Sequence, residues 1–197
     1  MLTAARADRK PTWGTCAGII LLAEAANHTK KGGQELIGGL DVRVNRNHFG
    51  RQVESFETML DLPFLRDLPG VDKRSSKYRG VFIRAPVVEK VLQITEGPQV
   101  EEEQKPDTIV APSQAPKDGT AARAVGREVE VLGVLPGRAD ALKRKAFVPE
   151  SCEGDIVAVR QGNCFGTSFH PELTEDERIH IWWLKRVEAA VSNANRL

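Results

Sequence analysis

Cys16, His170 and Glu172 are the side chains of this 197-residue chain whose types and settings suit hydrolysis. Cysteine attacks as the thiolate, and a free thiol has a pKa of about 8.5 that falls at a helix N-terminus or beside a histidinium. Cys16 stands in Gly14-Thr15-Cys16-Ala17-Gly18, where a strand gives way to an apolar helical run. It needs a histidine from elsewhere, and His170-Pro171-Glu172 offers one. In an extended segment residues i and i+2 share a face. Pro171 holds that backbone extended and blocks a helix. Glu172 is then placed to orient the imidazole and stabilise its charged form. Each piece alone has a plainer reading. A buried cysteine is usually a small core residue, and a His-x-Glu pair usually lies on the surface. Both at strand ends, with glycines around the cysteine, favour a nucleophile, a base and an orienting carboxylate.

The elements that must position them follow from pattern. Thr12 to Thr15 reads as the end of a buried strand, and Ala17 to Asn27 as a helix against a sheet. Gly14 and Gly18 let the backbone bend and the helix approach closely. Further strands are expected at Leu40 to Val44 after the Gly38-Gly39 turn, Phe56 to Leu62, Gly80 to Arg84 and Glu128 to Val134. Asp155 to Arg160 and Asn163 to Phe169 form a hairpin around Gln161-Gly162. Thr174-Glu175-Asp176-Glu177 fits a capping box opening a C-terminal helix, with Thr174 as N-cap and Glu177 at N3. Ile179, Trp182, Trp183 and Val187 give that helix one apolar face. The domain spans 1–197, with a mobile loop insertion at 93–126 and a second insertion at 136–154 carrying a short basic helix, Ala139 to Ala146.

Composition narrows the class. With 41% hydrophobic and 28% charged residues, the chain suits a single globular α/β domain with a real core. A net charge of +1 calls for no nucleic-acid or anionic-membrane partner. No apolar run approaches the roughly 20 residues of a membrane-spanning helix. Met1 to Lys10 has arginines but no apolar h-region, so it does not read as a secretory signal. The three cysteines, Cys16, Cys152 and Cys164, are odd in number and widely spaced. That predicts a reducing, cytoplasmic setting rather than a disulfide framework, and no structural zinc.

Gly14-Thr15-Cys16-Ala17-Gly18 resembles the nucleophile elbow of class I glutamine amidotransferases. Three further stretches narrow the resemblance to the glutaminase subunits of pyridoxal 5′-phosphate synthase: Arg46-Asn47-His48-Phe49-Gly50-Arg51-Gln52, Val81-Phe82-Ile83-Arg84-Ala85-Pro86 and Ser168-Phe169-His170-Pro171-Glu172-Leu173-Thr174. The resemblance covers most of the chain outside the two insertions. It implies a flavodoxin-like domain with a mostly parallel central sheet that hydrolyses L-glutamine. By position it implies Cys16 as nucleophile, His170 as acid/base, Glu172 as its orienter and the Ala17 amide as an oxyanion donor. Arg46, Ile83 and Arg84 match residues that contact glutamine. It further implies a (β/α)8-barrel synthase subunit as partner for vitamin B6 synthesis, and no cofactor or metal.

The family also carries strands and a Gly-Gly-Glu-Ser type loop before its elbow. No such loop is found here, so the resemblance implies an N-terminally incomplete domain, with the second oxyanion donor on the absent loop. A non-catalytic binding subunit of the same complex is therefore the alternative to an active glutaminase. A γ-glutamyl hydrolase of the same fold is disfavoured by the Arg46 to Gln52 and Ile83 to Pro86 stretches.

Overall fold

The computed structural model of the chain describes residues 10–27, 35–46, 48, 55–71, 75–93, 99–112, 128–135 and 154–194. Runs of β-branched and small apolar residues build an eight-stranded sheet. Its strands are β1 (Thr12–Thr15), β2 (Ala23–Asn27), β3 (Leu40–Asn45), β6 (Val87–Val91), β7 (Thr108–Val110), β8 (Glu130–Leu135), β9 (Asp155–Gln161) and β10 (Cys164–Thr167). The order is β1-β10-β9-β6-β3-β2-β7, with β8 also paired to β9. A separate hairpin joins β4 (Phe56–Asp61) to β5 (Lys77–Phe82). Among the described residues the α-helices are α1 (Ala17–Leu22), α2 (Val100–Glu103) and α3 (Arg178–Ala194).

The α/β class is as expected, and the sheet is mixed. Pairing is parallel at β1/β10 and β2/β3, the strands that flank α1. It is antiparallel at β9/β10, β2/β7, β3/β6, β6/β9 and β8/β9. The reason is local for β9/β10: a turn at Gly162-Asn163, with Gly162 at φ 56°, is long enough only for a hairpin.

Two faces of the sheet are covered. Ile19 and Leu22 of α1 bury against Leu40, Val42, Val44, Val159 and Cys164. On the other side Ile179 and Trp182 of α3 share a core with Phe165, Phe169, Leu60, Tyr78 and Phe82. Alternation along β10 serves both layers. Phe165 belongs to the α3 side, while a Cβ on Gly166 would stand 2.6 Å from Ile19 Cγ1 on the α1 side.

Four expectations change. The helix from Ala17 stops at Leu22, and Ala23–Asn27 is a strand. Alanine favours helix weakly, and two ladder partners plus a bond from the Gly39 amide to the buried Glu24 carboxylate (2.9 Å) outweigh that preference. Thr174 is not the cap of α3, because its hydroxyl bonds Pro171 O at 2.9 Å; Asp176 Oδ1 instead accepts the Arg178 amide at 3.2 Å. Residues 99–112, within the stretch expected as a mobile loop, hold α2 and the edge strand β7. The third strand runs over Lys77–Phe82 rather than Gly80 to Arg84, because Arg84 adopts φ 46° and leaves the ladder. The basic helix expected at Ala139 to Ala146 lies outside the described residues, as do 94–98, 113–127 and 136–153.

Candidate active site

The sequence around Cys16 makes a sharp corner. β1 runs parallel to β10 with Thr15 opposite Thr167, and the Cys16 amide adds one more rung to Thr167 O at 2.8 Å. Cys16 then takes φ 48°, ψ −107°, and α1 starts at Ala17. A positive φ at a residue with a side chain is strained and persists where the surroundings impose it. Here the close approach of α1 to β1 imposes it. A Cβ on Gly14 would stand 2.4 Å from the Gly18 carbonyl carbon, whereas one on Gly18 would meet nothing within 4 Å. Gly14 alone therefore supplies the close contact that both glycines were expected to share.

The thiol lies half-buried between opposing influences. Burial pushes its pKa up, the Ala17 backbone N–H lowers it, the Glu172 carboxylate raises it and the Arg84 guanidinium lowers it. Burial wins, so the resting group is a thiol. Its Sγ donates to Ile83 O at 3.8 Å.

His170 follows β10 and is anchored through its amide to Val81 O on β5 at 2.8 Å. Its Nδ1 lies 2.7 Å from Glu172 Oε1. Nε2 is buried and has no hydrogen-bond partner among the described residues. The expected same-face placement of His170 and Glu172 is achieved by a different backbone: His170 is extended (φ −106°, ψ 90°), and Pro171–Leu173 forms a single 3-10 turn. Pro171 at the first position of that turn suits it, since the fixed φ of proline is already helical. A carboxylate on Nδ1 fixes the tautomer whose Nε2 can accept a proton.

Ile83 and Arg84 follow β5 directly, and Arg84 too has a positive φ, 46°. Arg46 follows β3 and is held by its amide on Asn27 Oδ1 at 2.7 Å. Burial lowers its pKa from the usual arginine value. Two residues on, His48 Nε2 meets Asp155 Oδ1 at 2.9 Å, which brings this turn to the start of β9. Ala158 of β9 pairs with Thr167 beside Thr15, so the Arg46 turn sits at the same end of the sheet as Cys16. The Cys16 thiol thus meets the Ile83 carbonyl and is influenced by the Ala17 amide and the Arg84 and Glu172 charges, His170 is tied to Glu172, and Arg46 lies at the same end of the sheet.

A family model for the SNO glutamine amidotransferases matches residues 1–120 and 138–189. The chain belongs to the SNO glutamine amidotransferase family. It is 40% identical over 186 residues to a probable pyridoxal 5′-phosphate synthase subunit PDX2 of Arabidopsis thaliana, covering 94% of this chain and 61% of that one. It is 37% identical over 190 residues to the synthase subunit PdxT of Nocardia farcinica, covering 96% and 60%. A crystal structure of a glutamine amidotransferase superposes with a TM-score of 0.52 at 33% identity, covering 89% of this chain and 60% of that one. The chain therefore spans about three fifths of the length of these relatives.

Sequence reasoning missed the carbonyl acceptors around Cys16 and His170, those of Thr167, Ile83 and Val81, because a backbone acceptor leaves no mark on residue type. It also missed β6, which begins at Val87 directly after Pro86. No helix among the described residues is long and apolar enough to cross a membrane.

Proposed function

We propose that this chain is a glutaminase subunit that hydrolyses L-glutamine to glutamate and ammonia for a pyridoxal 5′-phosphate synthase. The observation that carries this reading is the His170 pair: Nδ1 on Glu172 at 2.7 Å, with a buried, unoccupied Nε2 at the sheet end where Cys16 turns. The names of the relatives support the pathway.

In this mechanism His170 Nε2 takes the Cys16 proton as Sγ attacks the side-chain amide carbon. The tetrahedral oxyanion forms beside the Ala17 amide, a donor already close enough to lower the thiol pKa. His170 passes the proton to the leaving nitrogen, and ammonia departs from a Cys16 thioester. His170 then deprotonates a water that attacks the thioester, and glutamate leaves with the thiol restored. Glu172 holds the imidazole and stabilises its charged form in both halves. Arg46, Ile83 and Arg84 grip the amino-acid end of glutamine, whose α-carboxylate suits a planar guanidinium. The ammonia passes to a (β/α)8-barrel synthase subunit.

A glutamine-analogue electrophile such as a diazo-ketone tests the reading directly. Mass spectrometry should find one adduct, on Cys16, slowed by excess L-glutamine. Labelling spread over Cys152 and Cys164, unaffected by glutamine, would count against it. One observation favours the alternative of a non-catalytic binding subunit: Sγ turns to Ile83 O rather than to His170, and the thiol is held protonated. Docking of the synthase separates the two readings, because only an enzyme gains ammonia release on docking.

A further inference from the structure

A buried polar cluster outside the triad joins β5 to the segment between His170 and α3. Arg178 is 4% exposed. Its guanidinium grips Asp176 in two places, Nε to Oδ1 at 2.9 Å and Nη2 to Oδ2 at 2.7 Å. Its other donors go to backbone carbonyls that lead into β5, Ser75 O and Lys77 O, the latter at 2.6 Å. Tyr78, fully buried, places its hydroxyl 2.9 Å from Thr174 Oγ1 and 3.4 Å from Asp176 O.

Each hydroxyl has one proton to give. With that of Thr174 on Pro171 O at 2.9 Å, Tyr78 donates to Thr174 Oγ1, the nearer of its two acceptors, Asp176 O lying at 3.4 Å. The relay therefore runs from Tyr78 through Thr174 to Pro171, the residue between His170 and Glu172. At its other end the same loop is fixed by the His170 amide on Val81 O. Both ties are to one strand, and that strand delivers Ile83 O to the Cys16 thiol.

We propose that Tyr78, Thr174 and Arg178 are positioning residues for His170, clamping its loop to β5 so that the imidazole keeps its place relative to Cys16. None of the three carries reaction protons. A helix anchor alone would need only the Asp176 contact. Arg178 spends its remaining donors on the strand, and Tyr78 and Thr174 act on the loop rather than the helix. Lysine cannot replace the arginine, because one ammonium lacks the planar fork that spans a carboxylate and two carbonyls.

The inference rests on His170 acting as acid/base, so the test has one readout that needs no turnover. The full chain is prepared as wild type, Tyr78→Phe, Thr174→Val and Arg178→Lys. The first readout is the NMR resonance of the His170 Nδ1 proton held by Glu172, followed with pH. The second is glutaminase kcat and KM with the synthase docked. Tyr78→Phe and Thr174→Val should stay folded, move or broaden that resonance, and lower kcat about tenfold with KM within about twofold, as small misplacements of reacting groups do. Arg178→Lys should do the same or lose the fold. An unmoved resonance with kcat unchanged in both hydroxyl variants would overturn the proposal, whatever happens to Tm. If wild type releases no ammonia, the glutaminase reading fails, and the resonance still decides whether the clamp positions His170.

Discussion

At the residue scale, the site holds Cys16 as a thiol rather than a thiolate. The Cys16 pKa is raised by burial, against the Ala17 amide and Arg84 and with Glu172. Alkylation of Cys16 by iodoacetamide should therefore rise with pH around a midpoint above that of an ordinary thiol. Arg84→Ala should move the midpoint further up by removing a favourable charge, and Glu172→Gln should move it down by removing an unfavourable one. Opposite signs would mean that these charges do not face the thiol. Catalysis should rank differently from thiol acidity. Cys16→Ala and His170→Ala should be comparably inactive, since the two act as a unit, while Glu172→Gln should retain about a hundredfold more activity than either. Equal loss in all three, measured as ammonia release, would show that Glu172 does more than orient.

At the element scale, the elbow depends on one glycine. Gly14→Ala drives a Cβ into the Gly18 backbone at 2.4 Å, where no flexible side chain can yield. It should cost about 3 kcal/mol or more in urea unfolding. Gly18→Ala meets open space and should stay within about 1 kcal/mol of wild type. Similar losses from both would mean that α1 does not lie as close to β1 as described. Much of this was legible in the sequence: β1, the elbow, β3, the β9/β10 hairpin and the pairing of His170 with Glu172 all follow from glycine placement, alternation and motif. What was not legible depends on partners remote in sequence. Ala23–Asn27 looks helical until β3 and β7 claim its backbone groups. Thr174 looks like a cap until Tyr78 and Pro171 O claim its hydroxyl. Nothing in the sequence marks Arg178, and only the fold shows it buried on the lead into β5.

At the scale of the whole molecule, the far edge of the sheet is tied by charge. Glu102, 2% exposed, meets Arg43 at 2.9 Å, Lys105 at 2.7 Å and Lys90 at 3.6 Å. Burial opposes its ionisation, and the combined effect of the three cations outweighs burial and holds its carboxyl below the usual range. A lowered folded pKa means stability that is fully present above the ordinary glutamate value of about 4.3 and lost as pH falls through the folded value. Glu102→Gln should therefore cost about 2 kcal/mol at pH 7, less than a fully buried pair because Lys90 and Lys105 are part-exposed and Arg43 keeps Glu89. The gap from wild type should close as pH falls below 4, and a gap independent of pH would remove the charge argument.

The central claim is that Cys16, His170 and Glu172 hydrolyse glutamine in concert with a synthase subunit, and ammonia release tests it most directly. Wild type, shown folded and docked to the synthase, should release ammonia from L-glutamine, and Cys16→Ala prepared in the same way should release none above background. Wild-type release no greater than that of Cys16→Ala would contradict the account.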